Sequence, residues 1–327
     1  MKSQSDRNIR WGIIGLGNIA NKFAQDLLTV DGCELYAVAS RSQEKATDFA
    51  QQYQATQAYS SYEALVQDPN VDAVYIATPH SLHQENTLLC LQQGIAVLCE
   101  KPFAMNAVEV NSMISVAEEK KVLLMEAMWT YFLPHYQFVL KELANQTYGK
   151  LLKVEADFGF SCEFDERSRL FKKSLGGGSL LDIGIYPIFV ALSTLGLPDS
   201  TTEKATFFDN GADSSCSMVF NYKNGATALL KSTLLASTPC EAIFHCERGT
   251  IKINREFHCP SSVTLINGAD QQTLDFNCTS NGYSYEIAHF NELLRQGKTE
   301  SDIMTFEFSR DLINTLDKVR EAIGLQY

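Results

Sequence analysis

Short apolar runs alternate with amphipathic stretches from Arg10 to Glu126, and this rhythm constrains the fold more than any other feature. The apolar runs are rich in β-branched residues, and the stretches between them have helical spacing. Strands that alternate with helices predict a parallel sheet covered on both faces. The predicted strands are Trp11–Gly15, Glu34–Ala39, Ala73–Ala77, Ala96–Cys99 and Val122–Glu126, and the predicted helices are Asn18–Leu28, Gln43–Tyr53, Ser81–Gln93 and Ala107–Lys120.

The pattern changes after Trp129 to longer strands with alternating polarity. The Lys223-Asn224-Gly225 step between two of them predicts a hairpin, because Asn-Gly supplies the positive φ angles of a tight turn. We therefore expect an α+β domain with a mostly antiparallel sheet. Its predicted strands include Lys150–Phe160, Cys216–Tyr222 and Ala226–Leu234, and its predicted helices include Tyr285–Leu294 and Phe308–Ile323.

A glycine-rich turn, Gly15-Leu16-Gly17-Asn18-Ile19-Ala20, follows the first strand and opens the first helix. Gly15 allows the tight turn, Gly17 lets the backbone approach a pyrophosphate, and Ala20 permits close packing of helix on strand. The alternative is an ordinary turn. In this context the motif predicts a nicotinamide dinucleotide site, with Gly15, Gly17, Asn18 and Ile19 as cofactor-binding residues.

Together these patterns predict the fold class and the domain boundaries. We expect an α/β Rossmann dinucleotide-binding domain over residues 1–128. An α+β substrate-binding domain with a large, mostly antiparallel open sheet would follow over residues 129–327, with the C-terminal helix packed back on the first domain.

The end of the second strand bears on which cofactor is bound. An NAD enzyme usually places an acidic residue there for the ribose 2′-hydroxyl, but this chain has Ser40-Arg41. Arg41 could pair with a 2′-phosphate, with hydroxyl support from Ser40. NADP is therefore the expected cofactor, with NAD as the alternative, unless Arg41 is only a solvated residue before the next helix.

Two polar motifs follow predicted strands, at the edge of the sheet where ligands gather. One contains Thr78, His80 and His83, and the other is Glu100-Lys101-Pro102. Lys101 is the first catalytic candidate, because a lysine beside a nicotinamide could move a proton to or from a substrate oxygen. The remaining polar residues, Thr78, His80, His83 and Glu100, are candidate cofactor contacts, although His80 could only cap a loop and Glu-Lys-Pro could be a surface turn.

In the second domain, glycines 176 to 178 lead into a segment that carries Asp182 and Tyr186. Four-residue spacing on a helix places this carboxylate and phenol on one face, where they could hold a substrate hydroxyl. The alternative is an N-terminal helix aspartate and an ordinary packed tyrosine.

Composition excludes several classes of partner. A net charge of −12 and a pI near 5.0 disfavour nucleic acid and anionic membranes, so a small molecule is the expected partner. Nine scattered cysteines without a CxxC indicate reduced, mostly buried thiols. Residues Met1–Arg10 are polar, unlike a secretory signal, and the later apolar runs are expected to be too short to span a bilayer, which favours the cytoplasm. A metal site at His245, Cys246, His258 and Cys259 is a weak alternative, so we expect none.

The glycine turn, Glu100-Lys101-Pro102 and the Asp182-to-Tyr186 segment together resemble the Gfo/Idh/MocA oxidoreductases, in the same order and with similar spacing. Further motifs, at Met125–Thr130 and from Arg169 onward, resemble its branch with the dihydrodiol and D-xylose dehydrogenases. The likeness spans nearly the whole chain. This chain has Tyr131 at a position where the related enzymes tend to have arginine.

The resemblance implies that Lys101 and Tyr186 form a proton-transfer pair and that Asp182 orients the substrate. It also implies that His80 and Trp129 lie at the cofactor, and that the open sheet face forms a homodimer. We expect NADP-dependent hydride transfer to or from a secondary alcohol of a sugar, polyol or vicinal diol. The alternative is a nicotinamide-binding sensor, which would need no catalytic lysine.

Overall fold

The computed structural model describes residues 7–327, so most of the polar Met1–Arg10 stretch lies outside the described residues. The chain divides into two units. One contains the residues up to Trp129 together with Thr279–Arg310, and the other contains Thr130–Cys278 together with Asp311–Tyr327.

The first unit is built on a six-stranded sheet in the order β3-β2-β1-β4-β5-β6, with every neighbouring pair parallel. This confirms the predicted Rossmann fold. The strands are β1 Ile9–Ile14, β2 Cys33–Ala39, β3 Gln57–Tyr59, β4 Ala73–Ile76, β5 Ala96–Glu100 and β6 Leu124–Ala127. The helices are α1 Asn18–Leu27, α2 Gln43–Tyr53, α3 Tyr62–Val66, α4 His83–Gln92 and α5 Ala107–Lys120, and the later α8 Tyr283–Arg295 also belongs to this unit.

Residues 279–310 were predicted to lie in the second domain, but they belong to the first unit. Helix α8 packs on α1, and its Asn291 and Phe290 contact Trp11 of β1. Trp11 Nε1 donates to Asn291 Oδ1 at 3.0 Å in the interior. The Asp26 carboxylate accepts hydrogen bonds from the backbone amides of Asn281, Tyr283 and Ser284. A carboxylate at a helix N-terminus is a stabilising cap, and these contacts fix the start of α8.

The second unit contains an eight-stranded sheet in the order β14-β13-β12-β11-β7-β10-β9-β8. All neighbouring pairs are antiparallel except β7 with β10, and the expected hairpin at Asn224-Gly225 joins β9 to β10. The strands are β7 Leu151–Gly159, β8 Ser200–Phe207, β9 Asp213–Asn221, β10 Thr227–Thr233, β11 Ala242–Cys246, β12 Gly249–Ile253, β13 Val263–Asn267 and β14 Asp270–Leu274. Helix α6 is Pro134–Ala144, α7 is Ile185–Leu195, and α9 is Phe306–Ala322.

One helical stretch, Lys173–Leu195, is longer than the sequence analysis expected of any apolar run. Its length and composition would suffice to cross a bilayer, but 89% of its apolar window is buried in the structure. Helix α7 within it packs on β7 and β10. Burial of this kind is what the core helix of a folded domain shows.

Candidate active site

Gly15 and Gly17 shape the turn between β1 and α1. Gly15 has φ +89°, and a Cβ there would lie 2.8 Å from the carbonyl carbon and oxygen of Ala77. Gly17 is the N-cap of α1 at φ −90°, and no heavy atom lies within 4 Å of where its Cβ would be. The chain therefore needs glycine at position 15 for its own folding, whereas position 17 opens onto space that a ligand can approach.

The N-terminus of α1 has neither a side-chain cap nor an acidic residue in its first turn, which distinguishes it from α2, α3 and α5. In α2, α3 and α5 the N-cap residues Ser42, Ser61 and Asn106 each accept a backbone amide hydrogen bond, and each first turn contains a glutamate. Helix α1 thus leaves its amides and the positive end of its dipole for another anion. A dinucleotide pyrophosphate fits this arrangement, with Asn18 and Ile19 supplying the first amides.

A pocket of about 560 Å³ begins at Arg41, beyond the end of β2. Ser40 is buried and accepts a hydrogen bond from the Ser42 amide, while Arg41 is exposed. The pocket is lined by Arg41, Ser60, Ser61, Tyr62, Glu63, Leu82, Glu85, Asn86, Leu88, Leu89 and Gln92. A guanidinium beside polar hydroxyls suits the phosphate-bearing ribose of NADP.

The predicted polar residues at the ends of β4 and β5 lie at one edge of the parallel sheet. Thr78 and His80 are 7% and 5% exposed. Thr78 Oγ1 accepts a hydrogen bond from Asn86 Nδ2 at 3.1 Å. His83 is fully buried, and both of its ring nitrogens lie against backbone carbonyls. His83 therefore lies in the core beneath this edge, where it contacts the backbone of the loops after β4 and β5.

Two buried glutamates hold the backbone around Lys101. Glu100 accepts hydrogen bonds from the Tyr75 hydroxyl and, at 3.1 Å, from the Lys101 amide. Glu126 accepts from the Phe103 amide at 3.1 Å and from Ser309 Oγ at 2.7 Å. Burial raises the pKa of the Glu126 carboxyl to about 7, which these hydrogen bonds partly oppose. The loop that carries Lys101 is thus fixed on both sides.

Trp129 closes the first unit and stacks on Tyr283. Their ring centroids are 4.4 Å apart with an interplanar angle of 3°, and Trp129 is 5% exposed. This contact fixes the plane of the indole just after the end of β6. The neighbouring Tyr131 belongs to the second unit, where it packs edge-on against Phe189 at 5.1 Å.

In the second unit, Asp182 lies in a π-helical turn, Leu180–Gly184, and Tyr186 lies in the first turn of α7. The two terminal guanidinium nitrogens of Arg169, Nη1 and Nη2, each donate to Asp182 Oδ1 at 3.2 Å. A π-helical turn is rare and often marks a functional position in a helix. The predicted pair is thus placed on one continuous helical segment, with the carboxylate oriented by an arginine.

Tyr186 packs in an aromatic group with Phe158 and His258. The His258 ring stacks on Phe158 at 4.0 Å and lies 5.1 Å from the Tyr186 ring. Sequence reasoning considered His258 only as a metal ligand, because its neighbours here come from β7 and α7, which are remote in sequence. The Phe158 and His258 rings form an aromatic wall beside the phenol.

Asp213 is a second residue that the sequence analysis missed. Its carboxylate is fully buried and accepts hydrogen bonds from the Leu180 amide at 2.7 Å and from Ser179 Oγ at 2.8 Å. A Cβ at Gly178 would lie 2.1 Å from Asp213 Oδ1, which explains the glycine there. Burial raises the pKa of this carboxyl to about 6. Asp213 anchors the start of the segment that carries Asp182 and Tyr186.

The histidines and cysteines raised as metal ligands have other environments. His245 Nε2 lies 3.1 Å from Glu155 Oε1. Within residues 7–327, no group of three or more His, Cys, Asp or Glu side chains is placed to hold a metal ion. Those residues include all nine cysteines, and none forms a disulfide.

Comparison with known proteins places this fold and site in a family. Residues 9–128 match a family model described as an oxidoreductase family with an NAD-binding Rossmann fold, and residues 136–252 match the GFO/IDH/MocA C-terminal domain. The chain is 36% identical over 329 residues to a trans-1,2-dihydrobenzene-1,2-diol dehydrogenase of Xenopus tropicalis, covering 97% of this chain and 99% of the relative. It is 32% identical to the human enzyme of that name, over 98% of each chain.

Solved structures agree with this assignment. A 3-ketoreductase from Actinomadura kijaniata, in complex with NADP and TDP-benzene, is 26% identical with a TM-score of 0.88, covering 97% of this chain and 98% of that one. An aldose-aldose oxidoreductase from Caulobacter crescentus shares the fold at 22% identity, with a TM-score of 0.88 over 97% of each chain. The chain therefore belongs to the Gfo/Idh/MocA family of oxidoreductases, with an NAD-binding Rossmann domain ahead of the family's C-terminal domain.

Proposed function

We propose that this protein is an NADP-dependent dehydrogenase that oxidises a secondary alcohol of a vicinal diol or sugar. The observation that carries the proposal is the placement of Tyr186 in the second unit, beside an aromatic wall and on the same segment as the arginine-bound Asp182. A phenol and an oriented carboxylate suit a substrate with two neighbouring hydroxyl groups, and the rings suit a cyclic one. The names of the diol dehydrogenase and sugar-oxidoreductase relatives support the same class.

When bound, NADP supplies the hydride acceptor for this reaction. Tyr186, as a phenolate stabilised by the Lys101 ammonium group, takes the proton from the substrate hydroxyl as general base and becomes a neutral phenol. Asp182 orients the substrate, and Arg169 holds that carboxylate in place. His80 and Trp129 are the proposed contacts to the cofactor. In the reverse direction Tyr186 donates the proton to the carbonyl oxygen.

A substrate panel tests the proposed class. We expect NADPH formation, followed by absorbance, with trans-dihydrodiols and other cyclic vicinal diols, and slower turnover with acyclic polyols. Pentoses, hexoses and inositols in the same panel distinguish a sugar enzyme from a diol enzyme. A folded, NADP-binding protein that oxidises no member of the panel would contradict the proposal and favour a sensor.

Arg41 supports the preference for NADP over NAD. Arg41→Ala should raise the KM for NADP by roughly 10-fold to 100-fold, because it removes a charge-assisted contact to the 2′-phosphate, and should change the KM for NAD by much less. Lys45→Ala, in the first turn of α2, is the control, because it removes a positive charge nearby without removing the proposed contact to the 2′-phosphate. Equal effects of Arg41→Ala on both cofactors would contradict this role.

We also propose a homodimer formed by the open face of the eight-stranded sheet, opposite α7. A hollow of about 600 Å³ on this face combines apolar Val219 and Leu229 with residues of both charges, including Lys204, Lys231, Glu155 and Glu241. Mixed charges around an apolar centre suit an isologous contact between two copies.

We further propose a cytoplasmic location. It is supported by nine cysteines without a disulfide, and cell fractionation would test it.

A further inference from the structure

His83 is the first residue of α4 and is fully buried beneath the strand ends. Its Nδ1 lies 2.8 Å from the carbonyl oxygen of Pro102, in the loop after β5. Its Nε2 lies 2.9 Å from the carbonyl oxygen of Thr78, in the loop after β4. One imidazole ring thus spans the two loops that carry the polar strand-end residues.

The partners of this ring determine its protonation state, because a carbonyl oxygen only accepts hydrogen bonds. A neutral imidazole carries one N–H and one bare nitrogen, so one of the two contacts would set a lone pair against a carbonyl oxygen. Both contacts are favourable only when both nitrogens carry a proton. We propose that His83 is an imidazolium cation at neutral pH, which clamps the Thr78 loop to the Glu100-Lys101-Pro102 loop and so positions Lys101.

Charged groups on the neighbouring elements bear on a buried cation. Glu100 and Glu126, 6% and 2% exposed, are acidic groups at the ends of β5 and β6 in the same unit. Burial raises the pKa of the Glu126 carboxyl to about 7, so Glu126 carries only part of a negative charge at neutral pH. The groups that oppose a positive charge on His83 are Lys101 and the N-terminal end of the α4 dipole. The His80 ring, whose centroid lies 5.7 Å from that of His83, also opposes it when His80 is protonated. Glu85 in the first turn of α4 offsets the dipole. Burial also disfavours a charged ring, and the two charge-assisted hydrogen bonds to carbonyl oxygens are the contacts that favour it.

The clamp acts on the backbone on either side of the lysine. The Lys101 amide donates to Glu100, the Pro102 carbonyl accepts from His83, and the Phe103 amide donates to Glu126. The backbone of these consecutive residues is therefore held by side chains from different elements. His83 is thus a positioning residue, and its effect on turnover rests on the function proposed above for Lys101.

His135 provides an internal comparison. It is 1% exposed, and its Nε2 lies 3.0 Å from the carbonyl oxygen of Phe257. Burial lowers the pKa of this imidazole below its usual value. One proton satisfies the contact, so His135 is expected to be neutral. The two histidines are equally buried and differ in whether one or both nitrogens face a carbonyl.

Nitrogen NMR of the full chain labelled with ¹⁵N-histidine measures this difference directly, without depending on activity. Spectra of His83→Gln and His135→Gln assign the two rings by loss of signal. We expect both His83 nitrogens to show N–H couplings at neutral pH, and His135 to show one protonated and one bare nitrogen. A bare nitrogen on His83 at neutral pH would overturn the proposal.

The positioning role has a separate test in steady-state kinetics. His83→Gln should lower kcat by roughly 10-fold to 100-fold, because the loop that carries Lys101 loses its clamp, while the Kd for NADP stays within about 3-fold. His135→Gln should leave kcat near that of the unaltered protein. An unchanged kcat in folded His83→Gln would refute the positioning role. If His83→Gln does not fold, substituting the other five histidines one at a time assigns their rings, and the remaining signals of the unaltered protein report the charge state of His83.

Discussion

At the scale of single residues, Gly15 and Gly17 are constrained by different neighbours. Gly15→Ala should reduce the free energy of unfolding by roughly 2 kcal/mol or more, because a Cβ at φ +89° would meet the Ala77 carbonyl. Gly17→Ala should cost less than about 1 kcal/mol, because nothing in the chain lies near its Cβ.

The same pair separates folding from cofactor binding. Gly17→Ala should weaken NADP binding by about tenfold or more, because the new methyl group occupies the space where the pyrophosphate approaches the backbone. Titration calorimetry gives the Kd, and thermal unfolding without cofactor gives the stability. Wild-type affinity in Gly17→Ala would show that the cofactor does not approach this turn.

Some site residues were predictable from sequence and others were not. The glycine turn and Lys101 carry local signals, since each follows a strand with a recognisable pattern. His258 and Asp213 carry none, because their partners at Tyr186 and Leu180 come from distant parts of the chain. Sequence also could not show that His83 is buried, since a histidine at a helix start reads the same whether it faces a ligand or the core.

At the scale of elements, Asp213 links the pH of the solution to the helical segment that carries Tyr186. Its pKa of about 6 lies above the usual value of 3.8, so the folded state prefers the neutral carboxyl. Its contribution to stability is therefore fully present below about pH 4 and is lost as the pH rises through about 6. The loss is about 3 kcal/mol at most.

Asp213→Asn tests this linkage, because the amide oxygen still accepts from Leu180 and Ser179 but does not ionise. The free energy of unfolding of the variant, relative to the unaltered protein, should increase between about pH 4 and about pH 6. Urea denaturation at several pH values measures it. Parallel pH profiles for the two proteins would mean that the Asp213 carboxyl is not perturbed.

The predicted elements agree with the structure where periodicity is strong. Helices α2 and α5 have the predicted bounds, and the strands of the first sheet differ from prediction by a few residues at their ends. The short β3 and the edge strand β14 were not predicted. Strand β14 is mostly exposed and polar, so it lacks the alternation that marks a half-buried strand.

At the scale of the whole molecule, the open sheet face should govern the oligomeric state. Leu229, 39% exposed at the centre of that face, should not tolerate a charge against a second copy. If the proposed homodimer forms through this face, Leu229→Glu should convert it to a monomer, which sedimentation measures. Leu28→Glu, at the end of α1 with 54% exposure, is the matched control and should remain dimeric. A dimer that persists in Leu229→Glu would place the interface elsewhere.

The central claim is that Lys101 and Tyr186 carry out proton transfer in an NADP-dependent dehydrogenase. The most direct measurement is kcat for Lys101→Met and Tyr186→Phe, after each is shown to fold and to bind NADP. Lys120→Met and Tyr222→Phe are controls, since Lys120 is at the end of α5 and the Tyr222 hydroxyl donates to Gly196. We expect kcat to fall by roughly 10²-fold to 10⁴-fold in both site variants and to change little in the controls. Near-normal kcat in both site variants would contradict it.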